Sequence, residues 1–238
     1  MTTISRDRVK IIGHRGWSAR FPDNTLAGIE AAIGVADMVE TDVRRTGDGR
    51  LVLSHDPELG GHLVSATPWS RLREMDLGGG LHPLLLEDLL TAVPTLPLNL
   101  EVKNSPAQPG FEPDHALALE TAALARDRDL LTCFYWPSVD AVRQTDSKVA
   151  TGLLLDEGGS IEDAIAHALR QGHRVVVPHF ALALGEIEAV GRARAAGLEV
   201  SVWTVNDPSV ARKLVDAGVT GIITDDPGLM RAELGEGR

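Results

Sequence analysis

Apolar and polar positions along this chain repeat at two periods. Short segments alternate every second residue or are apolar throughout, and between them apolar residues recur every three to four positions. The first pattern predicts β-strands and the second amphipathic helices. Strands are predicted at Val9–Gly13, Met38–Val43, Leu98–Lys103, Leu130–Phe134, Val149–Leu154, Val175–Pro178, Leu198–Val205 and Val219–Thr224. Helices fall between them. Asn24 or Thr25 caps one with Leu26, Ile29 and Ile33 on a stripe. Further helices are predicted at Leu86–Val93, Asp114–Arg128, Trp136–Thr145 and Gly185–Ala196. Ser160 caps another, with Ile161, Ile165, Ala168 and Leu169 in helical register, and Asp207-Pro208 and Asp226-Pro227 open the last two.

The second strand predicts more than its own conformation. Met38, Glu40 and Asp42 share one face, with Val39, Thr41 and Val43 on the other. Gly47-Asp48-Gly49 signals a hairpin, with Arg50–Asp56 as the returning strand. With Asp48-Gly49 as the two central turn residues, Asp42 pairs with His55, and Glu40, Asp42 and His55 form one cluster. An edge strand with solvated charges is the plainer reading. The histidine on the returning strand argues against it.

Strands that alternate with helices and are often continuously apolar suit a parallel sheet covered by helices. Eight βα units in 238 residues predict a closed (β/α)8 TIM barrel, one domain over residues 1–238. A β-hairpin follows strand two, and a short insertion over residues 57–94 precedes strand three. A doubly wound open sheet is the alternative, disfavoured because no Gly-rich dinucleotide fingerprint follows the first strand. Barrel active sites lie at the C-terminal strand ends. Those ends here carry His14-Arg15, Glu40 and Asp42, Glu101 and Lys103, Trp203, and Asp225.

Composition narrows the options. The net charge of −11 argues against a nucleic-acid-binding surface, which needs a basic face. Cys133 is the single cysteine, so neither an internal disulfide nor a Cys-rich zinc site is available. No segment has the length and hydropathy of a membrane span, and the N-terminus lacks a signal-peptide core, which predicts a cytoplasmic protein.

Glu40, Asp42 and Glu101, without a thiolate, suit a hard divalent cation, Mg²⁺ or Ca²⁺. Arg15 and Lys103 beside such an ion suit an anionic oxyacid, so the set describes a phosphate held by a metal and two cations. His14 and His55 are placed to move protons around it. Plainer readings exist for each: Glu101 and Lys103 as a surface pair, Asn24 as a helix cap, Trp203 as core. His62, His82, His115, His167 and His173 read as surface or structural. His179, just after strand six, stays open and outside the catalytic set.

With these residues placed, the chain resembles the glycerophosphodiester phosphodiesterase family nearly end to end. The resemblance rests on His14-Arg15-Gly16, Pro22-Asp23-Asn24-Thr25, Glu40-Thr41-Asp42, His55-Asp56, Glu101-Val102-Lys103, Trp203-Thr204-Val205-Asn206 and Thr224-Asp225, in this order. It implies a barrel in which Glu40, Asp42 and Glu101 bind a divalent cation, His14 and His55 act as acid and base, and Arg15 and Lys103 hold the phosphate. Trp203 is expected to face inward and line the site. The implied reaction is metal-dependent hydrolysis of a small glycerophosphodiester to an alcohol and glycerol 3-phosphate. The rivals are a lysophospholipid-cleaving phosphodiesterase and a non-catalytic phosphate-binding barrel. Two features depart from the family pattern. Asp23 stands where a Glu is usual, and the Arg-Thr-Thr stretch that follows His-Asp elsewhere is missing.

Overall fold

The computed structural model describes residues 8–235. Eight parallel strands close on themselves: β1 (Lys10–His14), β2 (Met38–Arg45), β6 (Leu98–Val102), β7 (Leu130–Cys133), β8 (Ala150–Leu155), β9 (Val175–Pro178), β10 (Glu199–Val202) and β11 (Gly221–Thr224). Closure comes from β1, which pairs with β11 on one side and β2 on the other. Between β2 and β6 lie β3 (Leu51–Leu53), antiparallel to β2, and the small β4–β5 ribbon (Glu58–Leu59, His62–Leu63). Helices α1 (Leu26–Ala31), α2 (Trp69–Leu72), α3 (Leu86–Ala92), α4 (Ala116–Leu124), α5 (Trp136–Arg143) and α6 (Ile161–Gln171) follow in chain order. The last four are α7 (Phe180–Gly185), α8 (Ile187–Ala195), α9 (Pro208–Asp216) and α10 (Pro227–Leu234). This is the TIM barrel that the periodicity predicts.

Strand parity divides the core into two parts. Ile11, Val39, Val43, Leu98, Leu100, Val102, Leu131, Leu153, Val176, Val200 and Ile222 pack outward against helix residues such as Ile29, Leu89, Val139 and Leu214. Ile12, Met38, Leu130, Leu154, Val175, Val177 and Ile223 pack among themselves inside the barrel. Each buried Leu or Ile contributes roughly 1.5–3 kcal/mol, so the outer layer supplies most of the drive for closure. Strand alternation then forces the other parity inward. Glu40 and Asp42 share the face of Met38, and Asn99, Glu101 and Lys103 oppose Leu98, Leu100 and Val102. The polar set is therefore held inside by the apolar set that seals the outside.

The hairpin differs from the sequence expectation. Val43 pairs with Leu53, Arg44 with Val52 and Arg45 with Leu51, which puts Ser54 rather than His55 opposite Asp42. Ser54 N donates to Asp42 O at 3.1 Å. The loop has three residues, not two. Gly49 N donates to Thr46 O at 2.9 Å and Thr46 N to Arg50 O at 2.9 Å, with Gly49 at φ +87°. A type I turn closed by a left-handed glycine takes this form. The Thr46 hydroxyl fixes it by donating to Asp48 and accepting from Arg50 N. The returning strand is thus only Leu51–Leu53, and His55 lies in the bend beyond it.

Other boundaries moved for local reasons. Thr25, not Asn24, caps α1, accepting from Gly28 N. That helix stops at Ala31, so Ile33 is 54% exposed instead of lying on the buried stripe. Leu169 is likewise exposed on α6, where Ile161, Ala164, Ile165 and Ala168 form the buried face. The helix expected at Gly185–Ala196 is α8, and a further short helix, α7, precedes it, parted from it at Glu186 by a non-helical ψ of +44°.

Candidate active site

At the C-terminal mouth the first βα loop makes a tight reversal. Arg15 adopts φ +54° and Gly16 φ +99°; a Cβ on Gly16 would lie 2.8 Å from the Gly28 backbone, so only glycine fits. A left-handed arginine costs roughly 1–3 kcal/mol. Partners on both sides hold it there: Arg15 N donates to Glu40 Oε2 at 3.0 Å, and Arg15 O accepts from Asn24 N at 3.0 Å. Asn24, also left-handed at φ +58°, donates from Nδ2 to Asp42 Oδ2 at 2.9 Å. Its Oδ1 accepts from Thr41 Oγ1 at 2.6 Å and Asp42 N at 3.1 Å. Asn24 therefore locks Asp42 to the first loop. The sequence alone leaves it undecided between helix cap and site residue.

Glu40, Asp42 and Glu101 are buried, and one carboxylate oxygen from each lies within 4.8 Å of the others. Lys103 Nζ sits 2.5 Å from Glu101 Oε1 and 3.1 Å from Asp42 Oδ1, and Arg15 Nε is 3.3 Å from Asp42 Oδ2. Burial, then Asp42 and Glu101, push the Glu40 carboxyl well above its ordinary range, against the weaker pull of Arg15 and Lys103. For Asp42 burial acts upward too, but Lys103, Arg15 and the Asn24 hydrogen bond outweigh it and hold the group low. Burial also opposes the Lys103 charge, and Glu101 and Asp42 more than compensate. Glu40 Oε1 is buried without a hydrogen-bond partner. A crowded all-oxygen donor set with one orphaned lone-pair site fits a hard divalent cation, which would relieve both the repulsion and the orphan.

His14 Nδ1 lies 2.6 Å from Asp225 Oδ1, and its Nε2 lies 4.0 Å from Glu40 Oε2. Asp225 also accepts from Ser18 Oγ (3.0 Å) and Asn206 Nδ2 (2.6 Å). The His14 hydrogen bond, with those from Asn206 and Ser18, overcomes burial and lowers Asp225 to about 2. An ionised carboxylate only accepts, so Nδ1 of His14 carries the proton and Nε2 is free toward the carboxylate cluster. Asp225 appeared in the sequence merely as a strand-end acid. Its parity with Ile223, which points inside, was the signal that gives it this place. A cavity of about 500 Å³ opens beside His14, lined by Arg15, Ser18, Asp23, Asn206, Asp225 and Leu229 among others. Asp23, the short substitute for glutamate, reaches Arg15 Nη1 at 2.6 Å.

His55 is not paired across from Asp42; it stands in the bend beyond β3. Its ring is 40% exposed and meets Asp56 Oδ1 at 2.7 Å. Trp203 faces inward: it packs on the barrel-interior cluster, and Nε1 donates to Val177 O at 3.1 Å. Phe134 and His179 meet its ring edge-on at 5.4 and 5.0 Å. His179 caps α7 through its ring nitrogen and completes an aromatic wall. Cys133 takes no part, since burial pushes its thiol up to about 12.

Among the described residues a second group of metal-type donors, Asp140, His167 and His173, lies outside the barrel between α5, α6 and β8. Both Nε2 atoms hydrogen-bond Asp140 Oδ1, at 2.9 and 2.8 Å. Their rings stack with planes 11° apart, both ring nitrogens share that one carboxylate oxygen, and His173 Nδ1 is paired with Thr151 Oγ1 at 2.7 Å. This cluster is a hydrogen-bonded brace.

The comparisons with known proteins agree with the geometry. Residues 14–229 match the glycerophosphoryl diester phosphodiesterase family. The chain belongs to this family. It is accordingly a glycerophosphodiester phosphodiesterase, an enzyme of the phosphoric diester hydrolase class. The "Probable glycerophosphodiester phosphodiesterase 2" of Mycobacterium tuberculosis is 32% identical over 92% of this chain and 88% of its own. The crystal structure of the Thermotoga maritima glycerophosphodiester phosphodiesterase superposes with a TM-score of 0.79 at 28% identity, covering 95% and 98% of the two chains. An Oleispira antarctica phosphodiesterase, solved with sn-glycerol 3-phosphate, shares the fold at a TM-score of 0.83 and 23% identity, covering 94% and 96%. No helix among the described residues of this phosphodiesterase is long and apolar enough to cross a membrane.

Proposed function

We propose that this phosphodiesterase hydrolyses small glycerophosphodiesters to an alcohol and glycerol 3-phosphate, with a divalent cation, Mg²⁺ or Ca²⁺, held by Glu40, Asp42 and Glu101. The observation that carries the reading is the orphaned Glu40 oxygen among three buried carboxylates, flanked by the cations of Arg15 and Lys103. A bound cation would neutralise phosphoryl oxygens and make an attacking oxygen more acidic. The chain's own residues do the rest. Arg15, anchored through its main chain to Glu40, presents a planar fork suited to two phosphate oxygens, and Lys103 supplies a point charge from the end of β6, on the other side of β2. A phosphate entering between them would compete for cations now shared with Asp42 and Glu101.

Two protons have to move: one leaves the attacking oxygen and one reaches the departing alkoxide. His14 presents Nε2 with its tautomer set by Asp225, and His55 approaches from the hairpin side. Their different origins suit opposite acid and base roles. The product named in the Oleispira antarctica structure supports glycerol 3-phosphate as the product that keeps the phosphoryl group. A panel of glycerophosphodiesters and lysophospholipids, assayed with chelator and with added metals, tests the reading. Turnover of glycerophosphodiesters that depends on Mg²⁺ or Ca²⁺ is expected. Preference for lysophospholipids would move the substrate class, and binding of phosphate without turnover would replace catalysis by capture.

A further inference from the structure

His55 stands where the sheet no longer holds the chain. The β2–β3 ladder ends with Ser54 N on Asp42 O, and β3 itself stops at Leu53. The imidazole is 40% exposed, and its one side-chain partner, Asp56, is 75% exposed. Neither packing nor that neighbour fixes the ring. The main chain beneath it is held differently. Arg44, 4% exposed, shares the inward parity of Glu40 and Asp42. Its Nε and Nη2 both donate to the His55 carbonyl, at 3.0 and 2.7 Å. Nη2 also donates to Gln108 Oε1 at 2.8 Å. One buried guanidinium thus fastens the peptide of His55 to the edge of the carboxylate cluster and to the loop after β6.

We propose that Arg44 is a positioning residue: its forked grip on the His55 carbonyl sets where that imidazole stands at the barrel mouth. The proposal rests on the catalytic reading of His55 for its kinetic consequence but not for its geometric one. Charge alone does not explain the arrangement. A point charge near three carboxylates needs no fixed direction, whereas two donors on one carbonyl oxygen define both distance and angle. Lysine keeps the charge and offers no such fork. Gln108 adds a second constraint, because it fills the Nη2 hydrogen that the carbonyl leaves free. Misplacing a proton-transfer group by about 1 Å costs on the order of 10²-fold in rate, so a residue that never touches substrate can matter at that level.

The test compares Arg44→Lys, Arg44→Met and the milder Gln108→Ala with wild type, in the wild-type and His55→Ala backgrounds, with circular dichroism and Tm as folding checks. Two readouts are taken. Histidine side-chain NMR, with the His55 signal identified by its loss in His55→Ala, is expected to show that signal shifted or broadened in Arg44→Lys, and less so in Gln108→Ala. Kinetics on a glycerophosphodiester are expected to show kcat lowered about 10- to 100-fold in Arg44→Lys with KM within about threefold, and almost no further loss when His55 is already Ala. An unchanged His55 signal in folded Arg44→Lys overturns the proposal, as does an equal kinetic loss in both backgrounds. Full rescue by lysine would make Arg44 a matter of charge and also overturn it. If Arg44→Lys and Arg44→Met fail to fold, Gln108→Ala decides: an unmoved His55 signal there overturns the proposal, and a shifted one sustains it. Should His55→Ala itself turn over like wild type, the catalytic reading of His55 fails, and the NMR comparison still decides the role of Arg44.

Discussion

The barrel mouth has two unlike halves. On the side of β11, β1, β2 and β6 the inward positions are Asp225, His14, Glu40, Asp42, Glu101 and Lys103, nearly all paired with one another. On the side of β7 through β10 they are Phe134, His179 and Trp203, edge-on aromatic rings. Both halves occupy the same layer above the same apolar interior. The first spends stability, since burying carboxylates together drives Glu40 toward its neutral form. The second spends little, because rings on an apolar floor are ordinary packing. The contrast is one of chemistry at the same height of the barrel: paired charge on β11, β1, β2 and β6, and aromatic rings on β7 through β10.

Exhaustive chelation is the severest way to break the comparison. Turnover is expected to fall to background and to return with Mg²⁺ or Ca²⁺; full activity without metal would leave the charged half no cation to serve. Next come the histidines. His14→Ala and His55→Ala are each expected to lower kcat about 10²- to 10⁴-fold. A p-nitrophenyl diester separates them, because p-nitrophenolate leaves without much protonation: loss of the acid spares that substrate, and loss of the base does not. Equal losses on both substrates would end the division of labour. Asp225→Asn keeps the His14 ring but takes away the ionised acceptor on Nδ1. A loss of about 10- to 100-fold in kcat is expected, with Tm as the check on folding.

The pH dependence of the metal-free protein sharpens the same contrast. Folding raises the Glu40 pKa, so the native state holds a proton that the unfolded chain has released. That contribution is fully present below the ordinary glutamate value and is lost as pH rises through the raised one. Denaturant titrations of chelated enzyme should therefore show stability falling across that window, and Glu40→Gln should flatten the slope. An identical slope in Glu40→Gln would place the strain elsewhere. The smallest effect belongs to the other half. Phe134→Ala is expected to raise KM a few-fold, about 1 kcal/mol for one aromatic contact, and to leave kcat within about twofold. A large kcat loss there would erase the distinction.

The sequence by itself determined the fold and which charged side chains share an inner strand face. Period-two and period-3.6 patterns are local, and eight alternations of them allow few closed architectures. Glu40 and Asp42 two apart on one strand, and Glu101 and Lys103 two apart on another, were bound to share faces whatever the tertiary detail. The tertiary structure decided what depends on single residues of register or on partners distant in the chain. The Thr46 hydroxyl chose a three-residue turn over a two-residue one, and that one-residue slip moved His55 out of the ladder and Ser54 into it. Asn24 became the clasp on Asp42 because a left-handed turn carried it there, which no helix-cap rule anticipates. Asp225 reaches His14 across 211 positions of sequence, because closing the barrel makes the last strand the neighbour of the first. Alternation within a strand is a property of the local chain. Contact between strand ends is a property of closure, and only the folded barrel has it.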